Sequence, residues 1–186
     1  VTAWATLAEQ IVACTACSEL APGRTTVVVG DRPRQRSRLA LVGEAPGAAE
    51  DAAGRPFVGR AGQLLDQLLA EAGLNRAEVA VLNTVKCRPP GNRAPKPAEL
   101  ANCAPFLHAQ LGLLRPELVV ALGLTAVRWF LGNRTGLAAA RGTVHQVHGY
   151  RVIATYHPSA AIRFGPAGAP LAALREDLAS AVKAMA

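Results

Sequence analysis

The sequence predicts an α/β fold with a central, largely parallel sheet covered by helices on both faces. Three observations carry this. Leu39-Ala-Leu-Val42, Val79-Ala-Val-Leu82 and Leu118-Val-Val-Ala-Leu122 are short continuous apolar runs, the mark of strands buried on both sides. Stretches with helical apolar spacing lie between them. Each run also stops at a polar or Gly/Pro-rich cluster, as a strand does where it enters a loop.

In chain order, residues 3–13 read as a short amphipathic helix running into Cys14-Thr-Ala-Cys17, which turns two thiols toward one point. Residues 21–37 are loop-like; with Arg38 after them they carry Arg24, Arg32, Arg34 and Arg36, read as a solvated charged loop with phosphate contact open to some of them. The first strand feeds Gly43-Glu-Ala-Pro-Gly47, and the loop continues through Glu50 and Arg55-Pro-Phe-Val-Gly-Arg-Ala-Gly62. Leu64, Leu65, Leu68, Leu69 and Ala72 follow with helical spacing and stop at Gly73, a natural terminator. The second strand ends at Asn83-Thr-Val-Lys-Cys-Arg-Pro-Pro90. Pro97 suits a first helical position, and the helix from there to Leu114 carries Cys103. Gly123 closes the third strand and a helix runs to Leu131. Thr143–Val147 and Tyr150–Tyr156 flank His148-Gly149 as a hairpin, and the second of them delivers His157-Pro-Ser-Ala160. Residues 169–185 form the last helix.

With no repeat, low-complexity segment or dividing linker, residues 1–186 are expected to form one domain. In open α/β sheets ligands bind beyond the carboxyl ends of strands. Glu44, Asn83 and His157 all lie just past such ends, so parallel strands would bring them to one crevice.

The chain has a net charge of +7 and a pI near 9.9, which favours a polyanionic partner, although 17 of its 20 basic residues are Arg. No apolar run approaches the length of a membrane span and no secretory leader opens the chain, so neither a membrane nor export is expected. Four cysteines stand in two groups: Cys14 and Cys17 at Cys-x2-Cys spacing, and Cys87 and Cys103 separated by 15 residues. Without a leader, four thiolates on a metal are preferred to disulfides. Spacing alone leaves structural zinc and a 4Fe-4S cluster both open. A closed four-thiolate shell has no open position for substrate, so the role is expected to be structural.

Five motifs in order then resemble the iron-sulfur, family-4 uracil-DNA glycosylases: Gly43–Gly47, Gly54–Leu65, Asn83–Arg93, His157–Ala160 and the four-cysteine pattern. The resemblance runs from Cys14 to about Arg163. It implies a three-layer α/β/α glycosylase fold and a 4Fe-4S cluster on Cys14, Cys17, Cys87 and Cys103. It further implies removal of uracil from single- or double-stranded DNA in base excision repair, by a monomer in a prokaryotic, DNA-associated, cytoplasmic setting.

The residue types suit that chemistry. Uracil leaves as an anion while the sugar becomes cation-like, so the site must favour the developing charge over the bound base. His157 can set an N–H against uracil O2. Asn83 can donate to O4 and accept from N3–H, a pattern cytosine reverses. By resemblance Phe57 stacks on the flipped base, and Glu50 lines the pocket where thymine's methyl group would go. Classical uracil-DNA glycosylases carry Asp where this chain has Ala45, which offers only its backbone. Glu44 is the nearest carboxylate to orient water or balance the sugar cation. Ala161-Ile-Arg-Phe164 is expected to begin a loop that enters the duplex, with Ile162 as wedge and Arg163 as a phosphate or groove contact.

Three other readings compete. A relative that traps uracil sites covalently uses a His in an insertion after the Asn motif, and Lys86–Arg93 has neither. A catalytically silent, metal-stapled DNA-binding module is separated by assay for base release. A nucleotide-binding phosphate loop at residues 43–47 lacks the Lys-Ser/Thr ending and the Gly-x-Gly-x-x-Gly spacing.

Overall fold

We describe the protein from a computed structural model, which covers residues 2–33 and 35–186; Arg34 of the charged loop lies outside the described residues. Five strands, β1 (Leu39–Gly43), β2 (Ala80–Asn83), β3 (Leu118–Leu122), β4 (Val144–Val147) and β5 (Tyr150–Thr155), form one sheet in the order β2-β1-β3-β5-β4. Every pairing is parallel except β4 with β5 at one edge, so the expected largely parallel sheet is present. The edge hairpin turns at His148 (φ 49°) and Gly149 (φ 82°), two successive left-handed residues whose twist matches that of the strands.

The helices are α1 (Ala3–Val12), α2 (Ala48–Ala53), α3 (Arg60–Glu71), α4 (Pro97–Leu114), α5 (Leu124–Leu131), α6 (Leu137–Ala140), α7 (Pro158–Phe164) and α8 (Ala169–Met185). Successive strand residues face opposite ways, which explains why the apolar runs are continuous. Leu39, Leu41, Val81, Val120 and Ile153 pack with α3 and α8 on one face. Ala40, Val42, Leu82, Val119 and Val152 pack with α4 and α5 on the other. The result is the expected three-layer α/β/α arrangement.

Because β1 lies between β2 and β3, the chain moves to one side of β1 and then crosses to the other. The carboxyl ends of β1 and β3 therefore flank a topological switch point, where the loops diverge and leave a crevice.

Differences from the sequence expectation are local. Asn83 is the last residue of β2, paired in register with Gly43, rather than the first residue beyond it. The short helices α2 and α6 were not expected. Ala161–Phe164 does not begin a loop; it is the end of α7. Pro158 at the first helical position and the His157 side chain as cap start that helix, and Gly165 at φ 75° ends it.

Candidate active site

A cleft of about 400 Å³ opens at the carboxyl ends of β1, β2, β3 and β5. Glu44, Ala45, Glu50, Phe57, Asn83, His157 and Arg163 all line it, although they come from three separate parts of the chain. Ile162 does not.

The loop after β1 is shaped by two close approaches. At Gly43 a Cβ would come within 2.6 Å of both the Phe57 ring and Asn83 Oδ1, so only glycine lets the ring and the amide meet over the strand end. Phe57 itself has φ 53°, in the left-handed region that a bulky residue rarely occupies. Its backbone lies so close to α3 that a Cβ on Gly62 would fall 1.8 Å from the Phe57 carbonyl oxygen. The Phe57 ring, 6% exposed, lies 5.4 Å from that of His157 at an interplanar angle of 30°.

Glu50 holds this loop. One carboxylate oxygen accepts from the backbone N–H groups of Val58 (2.9 Å) and Gly59 (2.8 Å), and the other from Gly47 (3.1 Å), capping α2. Both oxygens are thus engaged by the loop's own backbone. Next to it, Asp51 accepts from the N–H groups of Thr25 and Thr26 at 3.0 to 3.3 Å, fastening the segment before β1. Burial pushes the Asp51 carboxyl up, but those hydrogen bonds outweigh it and the group titrates below its ordinary value.

Asn83 is 3% exposed, and its Oδ1 has no hydrogen-bond partner. A buried amide oxygen left unpaired costs about 1 to 3 kcal/mol unless a ligand supplies the donor. Its backbone is fixed by the register with Gly43 and by the Lys86 ammonium, which donates to the Asn83 carbonyl at 2.7 Å.

His157 caps α7. The Ser159 N–H donates to its Nδ1 at 3.2 Å, and the Ser159 hydroxyl lies 2.8 Å from the same nitrogen. A nitrogen that accepts a backbone N–H carries no proton, so the neutral ring holds its proton on Nε2. Burial pushes the imidazole down to about 4, against a smaller opposing pull from Glu50. The side chain is therefore a neutral N–H donor across the physiological range.

Glu44 is half-buried on the cleft wall. The Thr125 hydroxyl donates to its carboxylate. Its backbone carbonyl accepts from the Thr84 hydroxyl at 2.6 Å and the Val85 N–H at 3.0 Å, so both ends of the residue are fixed.

At the rim, Asn92 and Arg93 join Arg163. Arg93 makes paired hydrogen bonds of 2.9 and 2.6 Å to Glu99, which also accepts from the Lys96 N–H at the start of α4. The Arg93 guanidinium, ahead of that N–H, holds the Glu99 carboxyl below its ordinary value. Ile162 is half-buried, whereas Phe164, two residues on, is 64% exposed.

The cysteines gather beside the cleft. Cys87 and Cys103 are buried with Leu20 and Val85 in a third apolar cluster, against which Cys17 and Ala45 pack; Cys14 is partly exposed. Three sulfurs have donors: Arg24 Nη1 to Cys87 Sγ at 3.2 Å, the Lys86 N–H to Cys103 Sγ at 3.4 Å, and Asn102 Nδ2 to Cys17 Sγ at 3.6 Å. Burial pushes both inner thiols up, Cys103 to about 11, so a bound metal would have to displace their protons. Among the described residues no group of three or more His, Cys, Asp and Glu side chains is placed to hold a metal ion. The donor set, four free thiols with hydrogen-bond donors directed at three of them, fits a soft multi-iron group.

Sequence reasoning missed Ser159, Thr125, Lys86, Asn92 and Arg93 as parts of this site. Ser159 and Lys86 stood inside quoted motifs, where a hydroxyl two residues after His157 and a lysine between strand end and thiol were available signals. Thr125 had none, because its partner is 81 residues away.

The chain matches the uracil DNA glycosylase superfamily over residues 29–179. It is 46% identical to the type-4 uracil-DNA glycosylase of Thermotoga maritima over 159 residues, 84% of this chain and 82% of that protein. It is 38% identical to the type-4 uracil-DNA glycosylase of Archaeoglobus fulgidus over 164 residues, 84% and 81% of the two chains. A type-5 uracil-DNA glycosylase of Pyrobaculum aerophilum is 33% identical over 185 residues, 81% and 80% of the two chains. With matches of this extent, the chain belongs to the uracil-DNA glycosylase superfamily and, within it, to the type-4 enzymes.

Proposed function

We propose that this protein is a uracil-DNA glycosylase of base excision repair that hydrolyses the bond between deoxyribose and a flipped uracil. The observation that carries the reading is the unpaired, buried Asn83 Oδ1 under the Phe57 ring, with the proton-bearing Nε2 of His157 in the same cleft. Uracil offers what that cleft lacks: an N3–H for Asn83 Oδ1, an O4 for the Asn83 amide, a flat face for Phe57 and an O2 for His157.

The chemistry follows from charge. As the glycosidic bond breaks, both bonding electrons go to uracil, and negative charge grows on O2 and O4. A neutral N–H donor strengthens its bond to O2 as that charge develops. An imidazolium would be the stronger acid, but burial disfavours it. Glu44, held by Thr125, faces the cation-like sugar and orients the attacking water. Glu50 holds the loop that carries Phe57, and because backbone N–H groups fix its carboxylate on the cleft wall it also stands where thymine's methyl group would go. Arg163 contacts DNA phosphate at the rim, and Phe164 is better exposed than Ile162 to enter the duplex.

Cys14, Cys17, Cys87 and Cys103 hold a 4Fe-4S cluster. Four free thiols with hydrogen-bond donors directed at three of them, in a chain similar to type-4 enzymes, support that group. It supplies cross-linking between the segment after α1, the loop after β2 and helix α4. The whole chain acts as one domain. Among the described residues no helix is long and apolar enough to cross a membrane.

Incubation with uracil-containing and uracil-free oligonucleotides, followed by alkali cleavage and a denaturing gel, tests the activity. Cleavage confined to the uracil position is expected; intact uracil oligonucleotide would overturn it. Asn83→Asp puts an acceptor opposite O4, so uracil excision should fall while cytosine becomes less disfavoured. Asn83→Ala should lose activity without that change in preference, and unchanged uracil kinetics in either variant would remove Asn83 from base reading.

A further inference from the structure

Lys86 has the largest of the fully buried side chains among the described residues, at 1% exposure, and the other buried charged groups among them are carboxylates. A buried ammonium needs a compensating negative charge, since its desolvation costs several kcal/mol. No carboxylate supplies one: its hydrogen bond goes to a neutral carbonyl, that of Asn83. Its place is set against the cysteines: the Lys86 backbone N–H donates to Cys103 Sγ at 3.4 Å, and Cys87 is the next residue. Arg24, on the other side, places Nη1 3.2 Å from Cys87 Sγ and makes no salt bridge among the described residues. Two cationic residues thus sit on the two most buried thiols, Arg24 through its guanidinium and Lys86 through its backbone N–H, and neither has a carboxylate partner among the described residues.

We propose that Lys86 and Arg24 are the counter-charges of the four-cysteine centre, fixing its net charge and hence its retention and reduction potential. The proposal rests on the cluster reading above. Four thiolates bring more negative charge than a cluster core cancels, and the excess lies where water cannot screen it. Lys86 compensates it from inside the fold and Arg24 from the mouth of the loop before β1. Outer groups of this kind tune a metal centre through charge and through hydrogen bonds to its sulfurs. Lys86 also joins the centre to the cleft, since its backbone N–H donates to Cys103 Sγ and its ammonium to the Asn83 carbonyl.

The test uses full-length protein prepared without oxygen: wild type, Arg24→Gln, Arg24→Lys and Lys86→Met. Iron and acid-labile sulfide per chain, loss of iron to a chelator and the midpoint potential are measured on each. Loss of a nearby positive charge favours the more oxidised centre, so Arg24→Gln and Lys86→Met should shift the potential to more negative values and release iron several-fold faster. Arg24→Lys, which keeps the charge, should stay near wild type. Arg24 is peripheral, so its pair of variants decides the matter even where Lys86→Met does not fold. An Arg24→Gln protein with wild-type potential and iron release would overturn the proposal while leaving the cluster reading intact. Wild-type protein that carries zinc and no iron would overturn both.

Discussion

At the scale of single residues, function rests on protons and lone pairs placed by neighbours. The Ser159 N–H assigns the His157 proton to Nε2, and burial keeps the ring neutral. Its donor matters mainly once uracil starts to leave, so His157→Ala should lower the single-turnover rate by roughly 100- to 1,000-fold with little loss of DNA affinity. Equal losses in rate and binding would make His157 a shape-holding residue. A ring titrating at about 4 also predicts a rate independent of imidazole protonation from pH 6 to 8, with the change confined to pH near 4. An inflexion near 6.5 would contradict it. Stability runs the same way: the folded pKa lies below the ordinary 6.5, so the neutral ring's contribution is complete above that pH and is lost as pH falls toward about 4. Thr125→Val should slow the reaction about tenfold, the worth of one hydrogen bond to a charged group, if Glu44 faces the reacting sugar. An unchanged rate would remove Glu44 from the chemistry. Asn83 and His157 were legible in the sequence because one ends a strand and the other stands just past the end of one. Thr125 was not, because a hydroxyl on a distant helix leaves no local pattern.

At the scale of elements, what could be read was what burial alone dictates. Three apolar runs and the helices between them gave the parallel sheet, and the His148-Gly149 turn gave its antiparallel edge. The short helices α2, α6 and α7 were harder, because too few residues carry a period. Two of them depend on caps: α2 on Glu50 and α7 on the His157 side chain. The left-handed Phe57 was also illegible, since no local rule puts a buried aromatic there. Its counterpart is Gly62, and Gly62→Ala tests the pairing. A Cβ 1.8 Å from the Phe57 carbonyl cannot be absorbed by a side-chain rotation, so the ring must leave its place. Uracil excision should collapse, with a stability loss of about 1 to 3 kcal/mol from the overpacked contact. Wild-type KM for a uracil oligonucleotide in that variant would show that the ring does not need its strained seat. At the end of α7, Phe164→Ala should weaken excision from duplex DNA more than Ile162→Ala does, with a smaller difference on single strands. The opposite order would restore Ile162 as the wedge.

At the scale of the whole molecule, the cysteine centre lies outside the two large cores. Those cores sandwich the sheet, whereas Leu20, Val85, Cys87 and Cys103 form a separate small cluster beside the cleft. Loss of metal should therefore act locally. The sheet keeps its apolar faces, so far-UV circular dichroism and the main thermal transition should survive iron removal. The later part of the segment between α1 and β1 is held without metal, by the Asp51 contacts to Thr25 and Thr26, the Val28 N–H bond to the Lys86 carbonyl, the Gln110 bond to Val29, the bridge from Asp31 to Val81 and the Asp31 pairs with Arg55 and Arg76. The part before Thr25 carries two of the cysteines and is otherwise tied mainly by the exposed Glu19 pairs with Arg93 and Lys96 and by Asn102 to the Ala16 carbonyl, so proteolysis of metal-free protein should begin there, near Cys17 to Arg24. Activity should fall as well, because Ala45 packs on the cysteine cluster and Lys86 ties that cluster to Asn83. Metal-free protein that keeps its sheet signal, is nicked between α1 and β1 and no longer excises uracil would fit a local staple beside the site. Cooperative loss of all secondary structure would instead make the centre a requirement of the global fold, and full activity without iron would separate it from the cleft altogether.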